Sequence, residues 1–84
     1  MLNVLESKSV ASHLFFENKE DAERFVRFAK ENHLYLYNEH RYTDGIAEML
    51  DEKYRNHQFP NCPYEVVVYS EITKEIEKQF EEYV

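Results

Sequence analysis

The chain has 84 residues and a mass of 10.2 kDa, the size of one small domain, because chains divide into several only well beyond that length. Ten Lys and Arg stand against 17 Asp and Glu, a formal charge of −7. That balance argues against binding a phosphate backbone or docking on anionic lipid, both of which draw affinity from paired cations. Hydrophobic residues make up 43% and aromatics 15%, too much for a disordered acidic tail. One Gly and two Pro leave no room for a Gly-rich phosphate loop, a nucleophile elbow or a dinucleotide fingerprint.

Leu2 and Val4 suggest a short N-terminal strand within Met1–Leu5. Val10 to Phe16 alternates with apolar residues on both sides, the pattern of a strand inside a sheet or covered over most of its area. Asn18-Lys19-Glu20-Asp21 then opens a helix, with Asn18 as cap and acidic side chains against the positive helix end. Ala22, Phe25, Val26 and Ala29 keep the spacing of one buried face, and Asn32-His33 closes the helix.

Leu34 to Tyr37 reads as a second strand, and Asn38 to Tyr42 as a loop. Thr43 or Asp44 caps a predicted middle helix whose apolar positions are Ile46, Ala47, Met49, Leu50 and Tyr54. Asp44-Gly45 also suits a hairpin turn, but the following Ala-Glu-Met-Leu-Asp-Glu-Lys run is strong helix-forming sequence. Both prolines fall in the irregular connection from Asn56 to Pro63. Tyr64 to Tyr69 is the clearest strand. Ser70 is the expected cap of a last helix with the stripe Ile72, Ile76, Phe80 and Tyr83. The predicted fold class is α+β: a three-stranded sheet, or four-stranded with the N-terminal segment, carrying three helices in the order β-α-β-α-β-α. Val66-Val67-Val68 at a sheet edge would invite pairing, so that strand is either central or covered by a second copy.

Little in the sequence resembles a catalytic site. Cys62 is the one cysteine, which excludes an internal disulfide and a Cys-rich zinc module. His13, His33, His40 and His57 lack the spacing of a helical metal site. An enzyme using His40, His57 or Cys62 is the weakest of three readings; most Glu side chains fall on predicted solvated helix faces, and Glu65, next to Tyr64 in a strand, is the one candidate for a buried carboxylate. No catalytic residue, metal ligand or cofactor is assigned. Met1 to Lys8 has no secretory pattern and no apolar run approaches the roughly 20 residues that span a bilayer, so a cytoplasmic setting is expected.

The charge distribution says more. Residues 1–42 hold six basic and seven acidic side chains, whereas residues 43–84 hold four and ten. On the predicted middle helix Glu48 meets Asp51 and Glu52 at neighbour spacing; on the last, Glu71 faces Glu75 and Glu77 faces Glu81. Such like-charge pairs cost roughly 0.2–0.5 kcal/mol each. Glu81 and Glu82 fall in the last turn, where the macrodipole is already negative. A local rule broken without visible compensation marks a candidate surface.

The leading expectation is therefore a non-catalytic acidic protein that modulates or inhibits a macromolecular partner. Its electrostatic contact set is Glu48, Asp51, Glu52, Glu75, Glu77, Glu81 and Glu82. Tyr54 and Tyr83, with Tyr64 and Tyr69, serve as anchors. The expected partner is a basic protein, such as a nucleic-acid-binding one whose channel a helical array of carboxylates could fill by imitating phosphates; nucleic acid itself and membrane are not expected partners. The alternative is a structural module that forms a homodimer through the 64–69 strand.

Overall fold

Capping chemistry sets the first helix boundary. The Asn18 side chain accepts the Asp21 N–H at 2.9 Å, and the helix α1 runs Lys19–Glu31 with Glu20 and Asp21 in its first turn. Its apolar stripe Ala22, Phe25, Val26 and Ala29 is buried as the spacing predicts, and Phe28 joins it. Burying each large side chain of that kind contributes about 1.5–3 kcal/mol. The helix ends at Asn32 and His33; His33 takes a φ of 59°, and the Leu34 N–H returns to the Ala29 carbonyl.

The structure is a computed structural model that describes residues 2–6, 11–37 and 44–83. Val10, the 38–42 loop with His40, and Thr43 lie outside the described residues. The strands are β1 (Asn3–Glu6), β2 (Ser12–Phe16), β3 (Ala47–Glu48) and β4 (Tyr64–Val68), and the second helix is α2 (Lys74–Glu82). They form one antiparallel sheet in the order β1-β2-β4-β3. The chain is thus α+β, with four strands and two α-helices among the described residues.

The sheet register sorts the side chains. Val4, Leu14, Phe16, Tyr64, Val66 and Val68 share the face covered by the helices, where they meet Phe25, Phe28 and Phe80. On the other face the 49–63 connection folds back over the sheet. Phe59 stacks on Phe15 with centroids 5.1 Å apart, and Cys62 is buried beside Asn3. The buried Ser12 hydroxyl donates to the Ser70 carbonyl, which satisfies a polar side chain that would otherwise be costly inside the core.

Three sequence expectations are corrected. The middle helix over 46–54 does not form. Gly45 has a φ of 75°, the Asp44 side chain accepts the Ile46 N–H, and the chain then extends as β3 before a short 3₁₀ turn at Glu52–Tyr54. The reason is tertiary: Ala47 and Glu48 pair with Glu65 and Tyr64, and the Met49 N–H donates to the Pro63 carbonyl. A helix there would leave that end of β4 unpaired on the side away from β2. The expected strand at 34–37 shrinks to a single bridge between Leu36 and Val68, flanked by Tyr37 N–H to Val67 O and Tyr69 N–H to Tyr35 O. Finally, Thr73 rather than Ser70 caps α2; its hydroxyl accepts the Ile76 N–H at 3.1 Å, and Ser70 instead bonds the Glu71 carbonyl.

β4 is interior. β2 covers one side, while β3 and the 35–37 segment share the other. A dimer through strand 64–69 would first have to strip these bonds away.

Candidate functional site

The nine side chains singled out from the sequence fall into two groups. β3 is one edge of the sheet, and α2 lies toward the opposite edge, where its Glu77 carboxylate accepts the Leu2 N–H just before β1. Glu48, Asp51, Glu52 and Tyr54 belong to the first group. Glu75, Glu77, Glu81, Glu82 and Tyr83 belong to the second.

The first group sits on a pinned loop. Arg55, whose side chain is only 16% exposed, donates from Nε to the Met49 carbonyl, from Nη2 to Leu50 and from Nη1 to Pro60, each at 3.0 Å. These charge-assisted bonds tie both ends of the loop to one guanidinium. Asp51 caps the 3₁₀ turn by accepting the Lys53 N–H. Held this way, the loop presents Leu50 and Tyr54, which are 66% and 67% exposed. Glu48, Asp51 and Glu52 of the same segment are exposed as well. Lys19 approaches Glu48 at 3.9 Å, Arg55 approaches Glu52 at 3.9 Å, and Lys53 approaches Asp51 at 3.8 Å. Pairs of this length to exposed carboxylates contribute little.

The second group is more occupied with structure. Arg24 of α1 donates from Nη1 to the carbonyls of Phe80 and Tyr83, at 3.1 and 2.8 Å, and its guanidinium lies 4.2 Å from the Phe80 ring centroid. The negative end of α2 is therefore met by a cation from another helix. The compensation that is missing along the sequence is supplied across space. Tyr83 packs edge-on against Phe28, and its hydroxyl donates to Glu31. Glu81 borders a cleft of about 260 Å³ with Glu17, Asp21 and Arg24. Glu75 and Glu82 are exposed.

Sequence reasoning misses Arg55 and Leu50 as parts of a surface. The signal for Leu50 points the wrong way, because a helical stripe would bury it. The array of carboxylates at helical spacing does not exist in the 48–52 segment, so the phosphate-like spacing has no counterpart there.

Of the residues considered for catalysis, His57 and Glu65 border one cleft, and His40 lies outside the described residues. His13 Nδ1 lies 3.0 Å from Glu65 Oε2 on the sheet face away from the helices. His57 is exposed and borders a cleft with Phe15, Met49, Tyr54, Arg55 and Glu65. Burial pushes the Cys62 thiol up from its ordinary value, against the opposing hydrogen bond from Asn3 Nδ2, which disfavours the reactive thiolate. Among the described residues, no three His, Cys, Asp or Glu side chains are grouped to hold a metal ion, and no helix is long and apolar enough to cross a membrane. Comparison with known protein families, curated proteins and solved structures finds no match.

Proposed function

We propose that this chain is a non-catalytic acidic binding protein that modulates or inhibits a macromolecular partner by covering a basic surface on it. The observation that carries this reading is the Arg55-pinned loop, which holds two large side chains, Leu50 and Tyr54, in water in the same segment as three exposed carboxylates. Tyrosine is among the residues most enriched at the energetic centres of protein interfaces, and a neighbouring aliphatic group helps to exclude water around it. Pre-organisation lowers the entropy lost when they dock. The carboxylates steer a cationic surface toward them and exclude an anionic one. Lys19, Lys53 and Arg55 each approach one of these carboxylates, and Asp44, which shares Lys19 with Glu48, is the fourth acid against three cations.

The test is capture from a cell lysate with the wild-type chain and with the triple variant Glu48→Gln, Asp51→Asn, Glu52→Gln, each at low and high salt. A basic protein retained by the wild type at low salt, released by high salt and lost by the triple variant is the expected result. Equal retention of the same partner by both chains overturns the assignment of the loop.

A further inference from the structure

The loop also says which group on the partner it takes. Lys53 Nζ lies 5.0 Å from the centroid of the Tyr54 ring and 3.8 Å from Asp51 Oδ2. An ammonium thus already sits between an aromatic face and a carboxylate, the two components of a cation site. We infer that Tyr54 and Asp51 form a seat for a cationic side chain of a protein partner, filled in the free chain by Lys53 and surrendered to an arginine on docking. This rests on the function proposed above and names the chemistry of the contact.

Three observations favour that occupant. The Lys53 side chain is 67% exposed, so its own hold is weak and displacing it costs little. Arg55, the other cation of the loop, has Nε, Nη1 and Nη2 all turned onto main-chain carbonyls and does not reach for the seat. Glu48 and Glu52 are exposed in the same segment and add negative charge that attracts a cation. Arginine is preferred to lysine because its planar guanidinium can stack on the phenol ring while its edge donates to the carboxylate. A second copy is a poor occupant, since two molecules that each carry a charge of −7 repel.

The experiment titrates the intact chain with capped hexa-arginine and hexa-lysine peptides at low salt, following affinity and the Tyr54 ring resonances by NMR. Hexa-arginine is expected to shift the Tyr54 ring signals and to bind more tightly than hexa-lysine. Lys53→Gln should tighten hexa-arginine binding about 2–5-fold, the scale of one exposed cation–π contact. Lys78→Gln, the same charge change on α2, should have a smaller effect. Tyr54→Leu, which keeps apolar area without the ring, and Asp51→Asn, which keeps the capping oxygen without the charge, should each weaken binding by a similar factor. If hexa-arginine binds while Tyr54 stays silent, or if Lys53→Gln and Lys78→Gln behave alike, the seat is wrong and the acidic surface stands. If wild type binds neither peptide at low salt, the seat and the acidic surface both fall.

Discussion

The two acidic segments of this chain look alike in sequence and differ in what their charges do. On α2, Glu77 bonds the Leu2 N–H, Tyr83 is tied to Glu31, and the negative helix end is answered by Arg24. In the 48–54 loop, the carboxylates are exposed in the same segment as Leu50 and Tyr54 and meet cations only at 3.8–3.9 Å, while the Arg55 guanidinium bonds main-chain carbonyls at 3.0 Å. The difference teaches that charge compensation is a property of space. A helix end that breaks the dipole rule along the sequence can be satisfied by a residue 56 positions away.

That contrast can be broken at its centre by Phe80→Ala. Phe80 is 3% exposed and packs against Phe16, Phe25 and Phe28, so the truncation should cost about 3–5 kcal/mol in chemical denaturation. A loss no larger than that of an ordinary surface substitution would mean that α2 is not docked as described. Next comes Arg24→Ala, expected to cost about 1.5–3 kcal/mol through its hydrogen bonds to the helix-end carbonyls, together with faster amide exchange in the last turn of α2. No change in either would leave the helix end uncompensated and return Glu81 and Glu82 to the candidate surface. The smallest effect belongs to the loop. Glu48→Gln, Asp51→Asn and Glu52→Gln, made one at a time, should each leave stability within about 0.5 kcal/mol. The Asp51→Asn amide keeps an oxygen to cap the 3₁₀ turn, and the other two side chains are exposed. A large destabilisation would assign these carboxylates a structural role like that of Glu77.

How much the sequence reveals follows the same divide. α1 is readable to its ends because everything that defines it is local: Asn18 caps it, the 22-25-26-29 stripe buries it, and Asn32-His33 closes it. β4 is readable because Val66-Val67-Val68 tolerates little else than a buried strand. The 46–54 segment misleads for a physical reason. Its helix propensity amounts to a few tenths of a kcal/mol per residue, while the alternative supplies paired backbone groups along the rim of β4. The loop's role as a surface depends on Arg55 reaching Met49, Leu50 and Pro60 at once. No spacing rule records such a bond set. The thiol is legible as a small buried apolar group, and Cys62 is buried. Its hydrogen bond to Asn3, by contrast, crosses 59 positions.

The placement of β4 between β2 and β3 has a consequence for the order in which the molecule can assemble. The hairpin of β1 and β2 and the helix α1 are close in sequence and can form early. The strand that completes their sheet arrives much later; the His13–Glu65 contact across β2 and β4 closes a separation of 52 residues. Until then β2 presents a bare, largely apolar edge, the kind of template on which strands of other chains pair. A nascent chain halted before Tyr64 is therefore an aggregation hazard rather than a smaller version of the fold. Release from that hazard waits on the arrival of one five-residue strand.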